Sequence, residues 1–120
     1  MDIYTGIDIV ENERIEKVYR KFKDKFLNKI FTEKEIEYCL SKKDFIPCIS
    51  ARFACKEAVF KAFYQAFEEG ISFKKIEVLG KENKPATVIL HKKIDKNFKI
   101  NVSISHEKKF STAIAIIYIE

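Results

Sequence analysis

The sequence predicts an α+β fold: a mainly antiparallel sheet packed with helices in a single domain. Three observations lead there. The stretch Ser50 to Phe67 has no Gly or Pro and is apolar nearly all round as a helix, so it belongs at the centre of the molecule. One strand-like segment and a run of helical segments precede it. Four strand-like segments follow it, two of them separated by a short Gly- and Pro-containing loop. Strand, helices, then four strands is an α+β order, since no parallel strand–helix–strand alternation runs through it.

The central helix carries the first hint of chemistry. Ser50 stands where an N-cap belongs. Phe53, Val59, Phe60, Phe63 and Phe67 spread over a broad arc, and alanines and Cys55 fill most of the rest. Four charges interrupt it: Arg52, Lys56, Glu57 and Lys61. Glu57 and Lys61 are four apart and share a face, where Ala54 and Ala58 leave room for a ligand. On an exposed helix such a pair adds only about 0.3 kcal/mol. In a buried helix, charges are costly unless paired or used. A helix so apolar in so short a chain also suggests that a partner subunit covers part of it.

The other elements follow in order. Ile3 to Val10 reads as a strand with Gly6 inside it. Asp8 interrupts its apolar run; it either points to solvent from an exposed face or, in a central strand, needs a cation. Asn12 to Phe26 reads as one helix with Asn12 as N-cap and an apolar stripe of Ile15, Val18, Tyr19, Phe22 and Phe26. Its other face carries Arg14, Lys17, Lys21 and Lys25, with Arg20 and Lys23 near it: a solvated face, or a docking surface for an acidic helix. Thr32 with Glu35 is a capping box that opens a helix to about Leu40. A loop from Ser41 to Pro47 leads to the central helix, and Gly70 closes the helical region. Ile76–Leu79 and Ala86–Leu90 are strands around the hairpin loop 80–85. Lys92 to Phe98 holds a short helix, and Ile100 to Ser105 alternates as a half-buried strand. The turn Ser105 to Lys109 leads to Phe110–Ile119, a strand apolar enough to be buried on both sides.

Composition sets bounds. The 120 residues suit one domain, and 47% hydrophobic with 34% charged residues excludes a disordered chain. No stretch reaches the length of a membrane span, and the opening residues lack the pattern of a signal peptide. Cys39, Cys48 and Cys55 form no close pair; at most two can bridge, and they read as reduced thiols of a cytosolic protein. Zinc is disfavoured, since no C-x-x-C occurs and both histidines lie far from the cysteines along the chain. A net charge of +5 serves solubility or suits an acidic partner: nucleic acid, a phosphate-bearing cofactor or an acidic protein.

With three glycines there is no Walker loop and no G-x-G-x-x-G. A phosphate ligand would then be held by basic side chains, a metal or a helix N-terminus. Asp8 and Glu57, acids within apolar elements, suit magnesium, which keeps waters and takes oxygens from substrate phosphates. Lys61 suits a developing phosphate charge. His106, at a strand end, is a candidate for phosphate binding or proton transfer, or an ordinary turn histidine; His91 receives no role.

These residues carry a resemblance. Gly6-Ile-Asp-Ile-Val-Glu-Asn-Glu-Arg-Ile15, Arg52-Phe-Ala-Cys-Lys-Glu-Ala-Val-Phe-Lys-Ala62 and Val102-Ser-Ile-Ser-His106 resemble, in order and at family spacing, three motifs of the holo-acyl-carrier-protein synthases, within the 4′-phosphopantetheinyl transferases. Asn83-Lys84-Pro85 is a weaker match, with Asn83 where the family usually has Gly. The resemblance covers the whole chain and makes 1–120 one transferase domain. It implies magnesium-dependent transfer of 4′-phosphopantetheine from coenzyme A to a serine of apo acyl carrier protein, in fatty acid biosynthesis in the cytoplasm. Adenosine 3′,5′-bisphosphate is the product released. It implies that Asp8 and Glu57 hold magnesium, and that Glu57, directly or through water, helps remove the serine proton. Lys61 would stabilise the phosphate at the breaking bond, and Arg52 and His106 would grip the nucleotide end of coenzyme A. Arg14, Lys17, Lys21 and Lys25 would receive the carrier, in a homotrimer with shared sites. Two positions depart from the pattern: a small residue is usual where Phe60 stands and a glycine where Tyr64 stands, so a bulkier wall beside the coenzyme pocket is expected. The competing reading is a non-catalytic basic module for RNA or another acidic partner; its weakness is that no exposed aromatic–basic motif of the RNA-binding kind is evident.

Overall fold

The structure, a computed structural model, describes residues 1–80 and 83–120. The chain runs β1 (Asp2–Glu11), α1 (Asn12–Phe22), α2 (Asp24–Ile30), α3 (Glu33–Leu40), α4 (Ile46–Phe67), a 3₁₀ turn (Phe73–Lys75), β2 (Ile76–Leu79), β3 (Thr87–Leu90), β4 (Phe98–His106) and β5 (Phe110–Ile119). The fold is α+β, as expected. The strands form two sheets rather than one: β1-β5-β4, with β5 in the middle, and the pair β2-β3. Every pairing is antiparallel. Among the described residues no helix is long and apolar enough to cross a membrane.

The core sits between α4 and the inner face of the three-stranded sheet. Ala54, Ala58, Val59, Ala62 and Phe63 of α4 pack against Ala113, Ala115 and Ile117 of β5. A second cluster joins Ile15, Leu27, Phe31, Cys39 and Ile49, where α1, α2 and α3 close over the first half of α4. The helix that looked too apolar for a monomer is thus covered by its own chain.

Several boundaries move. α4 begins at Ile46, with Pro47 in its first turn, where the missing N–H costs no hydrogen bond. Ser50 is therefore interior and not an N-cap; its hydroxyl donates to Asn12 Oδ1 at 2.6 Å. Asn12 is likewise no cap, since Glu11 takes that position. The helix expected over Asn12–Phe26 breaks at Lys23, whose φ is 50°. That break turns Leu27 and Phe31 into the second core cluster and leaves Val18 and Phe22 exposed. A lysine gives no sign of a left-handed residue, so the stripe runs through the break unmarked. The capping box of Thr32 and Glu35 forms as expected. α4 ends at Glu68, which takes the left-handed position expected nearer Gly70. No helix forms over 92–98. β5 is fully buried on one face only, that of Ser111, Ala113, Ala115, Ile117 and Ile119. Of the expected loop 80–85, residues 81 and 82 lie outside the described residues.

One contact sets how closely sheet and helix approach. A Cβ built on Gly6 would sit 1.9 Å from the Ala58 carbonyl oxygen and 2.8 Å from the Ala62 nitrogen. Backbone meets backbone there, and no side-chain rotation can relieve the clash. We expect Gly6→Ala to destabilise the fold by about 3 kcal/mol or more, by overpacking that only a shift of the strand can relieve. Denaturant unfolding against the wild type measures this; a loss under about 1 kcal/mol would contradict the close approach.

Candidate active site

Because β1 lies so close to α4, its inner-facing residues meet the helix directly. Asp8 is two residues beyond Gly6 and faces the same way. Lys61 Nζ lies 3.3 Å from Asp8 Oδ1 and donates to the Ile7 carbonyl oxygen at 3.0 Å. β1 is an edge strand, so Asp8 is answered by a cation on the helix and not by a neighbour in the sheet. Glu57 stands one turn before Lys61. Burial, then the charge of Asp8, pushes the Glu57 carboxyl above the usual range, and Lys61 only partly offsets this. The structure thus brings together Asp8, Glu57 and Lys61, 49 residues or more apart along the chain for Asp8 and its partners.

Lys56 belongs to a different group. It is fully buried, 2.7 Å from Glu35 Oε1, and also donates to the Phe73 and Ile76 carbonyls. Burial lowers the Lys56 ammonium below its ordinary range, and Glu35 works against this. Glu35 also accepts from the Val78 N–H at 2.8 Å. Thr32 donates its hydroxyl to Glu77, whose other oxygen meets His91 Nε2 at 3.1 Å. The Thr32 hydrogen bond holds the Glu77 carboxyl below the usual range, with His91 contributing. This network ties α3 and β2 to α4 and gives His91 a structural place. Glu35 read as a capping residue alone, because its bond to Lys56 spans a distance that sequence spacing does not show.

A cleft of about 590 Å³ opens beside the first half of α4. Arg52, Tyr38, Gly80, Lys84 and His106 are among its lining residues. The buried Arg52 guanidinium lies 4.8 Å from the Tyr38 ring centroid and donates to the Gly80 carbonyl at 3.1 Å. Burial lowers its pKa from the ordinary value, opposed by Glu35, Tyr38 and Cys55. Arg52 Nε is buried with no hydrogen-bond partner among the described residues. A buried guanidinium with an idle N–H beside a cleft suits an anionic ligand. Tyr38 was missed from sequence; its stacking on Arg52 crosses from α3 to α4 and has no local signature.

Asp8, Glu57 and Lys61 are not among the residues lining this cleft. Arg52 and Lys61 are nine residues apart on α4, roughly 14 Å along the axis at 1.5 Å per residue. An elongated ligand would be needed to touch both. Phe60 and Tyr64 do not narrow the cleft as expected. Phe60 packs edge-on against Phe73 at 5.9 Å, and Tyr64 is exposed outside the lining.

The cysteine expectation also changes. Cys39 and Cys48 are bridged, with Cα atoms 5.5 Å apart, across the α3–α4 connection. Only Cys55 remains a free thiol, and burial pushes it up to about 12. The folded chain brings together two residues whose separation of nine in sequence did not look like a pair. Reduced thiols therefore no longer argue for a cytosolic protein.

Of the basic surface, Arg14, Lys17 and Lys21 are exposed on α1, while Lys25 falls on α2 beyond the break. Lys17 pairs with Glu13 at 3.3 Å, both ends in solvent. Exposed Val18 and Phe22 lie among these cations.

A family model described as the 4′-phosphopantetheinyl transferase superfamily matches residues 4–116. The chain belongs to this family. It is 48% identical over 116 residues to the holo-[acyl-carrier-protein] synthase of Aquifex aeolicus, covering 93% of this chain and 95% of that protein. Its fold is similar to that of the Bacillus anthracis holo-(acyl-carrier-protein) synthase in complex with CoA (3′,5′-ADP). There the TM-score is 0.74 and the identity 32%, over 95% of this chain and 94% of that one. The Helicobacter pylori holo-[acyl-carrier-protein] synthase in complex with coenzyme A gives a TM-score of 0.70 at 32% identity, over 97% and 99% of the two chains. Membership of a transferase family favours an enzyme over a non-catalytic basic module.

The buried pair of this family member is testable. Lys56→Met should cost about 3–5 kcal/mol, because Glu35 would be left charged and buried. Adding Glu35→Leu should recover part of that loss. Denaturant unfolding of the single and double variants checks this; a double variant as unstable as the sum of both singles would contradict the pairing.

Proposed function

We propose that this chain transfers 4′-phosphopantetheine from coenzyme A to a serine of apo acyl carrier protein, as a holo-[acyl-carrier-protein] synthase. The observation that carries the reading is the meeting of Asp8, Glu57 and Lys61 where β1 crosses α4, with a second subsite, for an anion, around Arg52 nearer the start of the same helix. The serine oxygen attacks the phosphorus that bears the pantetheine arm. The bond from that phosphorus to the bridging oxygen breaks, and adenosine 3′,5′-bisphosphate leaves. Glu57, with its carboxyl raised towards the working range, takes the serine proton directly or through water. Lys61 meets the charge that grows on the phosphate oxygens. Arg52 and His106 hold the nucleotide end in the cleft they line.

Two carboxylates answered by one lysine leave net negative charge, and the charge of Asp8 adds to burial in raising the Glu57 carboxyl. That donor set fits a hard divalent cation, so Asp8 and Glu57 would hold magnesium, which supplies charge neutralisation at the pyrophosphate. Arg14, Lys17, Lys21 and Lys25, with Val18 and Phe22 exposed among them, offer an acidic amphipathic helix of the carrier both charge and apolar contact. The whole of 1–120 acts as one transferase domain, and its product serves fatty acid biosynthesis in the cytoplasm.

Incubation with coenzyme A, magnesium and several apo carriers, read by intact mass, tests the assignment. The wild type should add phosphopantetheine to at least one carrier, and Asp8→Ala and Glu57→Ala should each lose on the order of 10²-fold or more in rate. In the metal-free protein Glu57 should take up its proton at higher pH than a free carboxyl, because burial and then Asp8 disfavour its charge. The same shift has a stability sign. An acid raised in the fold costs stability as pH rises from its unfolded value through its folded one. Metal-free Glu57→Gln should therefore melt at or above the wild type at neutral pH. No modified carrier from folded protein would sink the assignment.

The assembly we infer is a homotrimer, now on different grounds. Ile3, Ile7 and Ile9 on the outer face of β1 are 58%, 65% and 66% exposed, and Ile114 of β5 continues the patch. An apolar sheet face of this kind seeks a partner, and identical chains meet it by closed symmetry. Sedimentation at micromolar concentration should give three subunits per particle, and Ile7→Lys with Ile9→Lys should shift it to one. A wild type that sediments as a monomer would refute the trimer.

A further inference from the structure

Asn12 is buried, and all its hydrogen-bonding capacity is used. Its Oδ1 accepts from the hydroxyls of Ser50 and Ser111, at 2.6 and 2.7 Å. Its Nδ2 donates to the carbonyls of Glu107 and Lys108, at 3.0 and 3.2 Å. Its backbone N–H donates to the Lys109 carbonyl at 2.8 Å. Three successive carbonyls of the β4–β5 turn thus point at one residue, which also holds α4 through Ser50. The turn's own N–H groups at Lys109 and Phe110 close on the Glu107 carboxylate. The turn is therefore tied on two sides, and it begins immediately after His106, which lines the Arg52 cleft.

The His106 side chain is exposed and makes no hydrogen bond among the described residues. Its backbone ends β4 paired with Ser111, and Asn12 holds both that partner and the carbonyls of the residues that follow. We propose that Asn12 is a positioning residue for the nucleotide end of the donor: it sets the β4–β5 turn against α4, so that His106 and Arg52 face one cleft at a fixed spacing. This rests on the transferase reading above and adds to it a residue that touches no substrate.

Asn12→Asp separates the two halves of the network. It keeps an acceptor for Ser50 and Ser111 but turns the two donors to the turn into an oxygen facing two carbonyls. The expected result is a rise of about tenfold or more in the dissociation constant of adenosine 3′,5′-bisphosphate by calorimetry, and in the KM for coenzyme A. The kcat and the KM for the carrier should stay within about threefold. In a His106→Ala background, the same substitution should change nucleotide binding by less than about twofold, because Asn12 acts through that residue. If Asn12→Asp does not fold, Asn12→Ser carries the same measurements with a shorter side chain that cannot span both carbonyls. The proposal is overturned if the folded variant binds nucleotide as the wild type does, if kcat falls while the coenzyme KM is unchanged, or if the effect persists undiminished without His106. A wild type that fails to bind adenosine 3′,5′-bisphosphate would remove the transferase reading and this inference with it. Wild-type binding matched by the variant would remove only this inference.

Discussion

The contact of Gly6 with the backbone of Ala58 and Ala62 governs the rest of the molecule. It exists because one side lacks a Cβ and the other carries the smallest side chain. Two consequences follow from that closeness. The alanine face of α4 is covered by a sheet of small and branched residues, Ala113, Ala115 and Ile117. And Asp8, two residues along the strand, is delivered to within reach of a lysine whose four-carbon stem starts on the helix. A wider separation would leave the carboxylate in water and the lysine beside it screened.

Around this contact the interior contains more polar groups than a small core usually tolerates. Lys56, Glu35, Ser50, Asn12 and Ser111 are all buried. Each has partners, and the partners lie on other elements: β2 and the 3₁₀ turn for Lys56, α4 and β5 for Asn12. Such groups contribute little net free energy when satisfied and are costly when not, so they act as constraints on geometry more than as sources of stability. They hold α3, α4 and the β4–β5 turn at one spacing. Arg52 is a partial exception: its Nε is buried with no hydrogen-bond partner among the described residues.

The arrangement separates two tasks along one helix. The first half of α4 faces a cleft with Arg52 and His106 on its walls; the next turns face Asp8 across the sheet contact. A rigid helix keeps the distance between these two groups of residues constant. The exposed basic helix α1 starts from the same Asn12 that clamps the turn, so helix and turn share a single frame.

Much of this was legible in one dimension. The strand at Asp2–Glu11, the capping box at Thr32, the hairpin strands and the alternating β4 follow from residue type and period, which act over a few neighbours. Asp8, Glu57 and Lys61 stood out because charge inside an apolar element costs free energy unless something answers it. The break at Lys23, the start of α4 at Ile46 and the missing helix at 92–98 were not legible, because tertiary packing overrode local pattern there. Nor were the Cys39–Cys48 bridge, the Tyr38–Arg52 stack, the Glu35–Lys56 pair or the Asn12 clamp. Each joins residues 9 to 99 positions apart. Sequence alone determined which side chains needed partners, since desolvation is a property of the residue and its element. Only the tertiary structure decided which partners they found, since that depends on how closely a glycine lets a strand approach a helix.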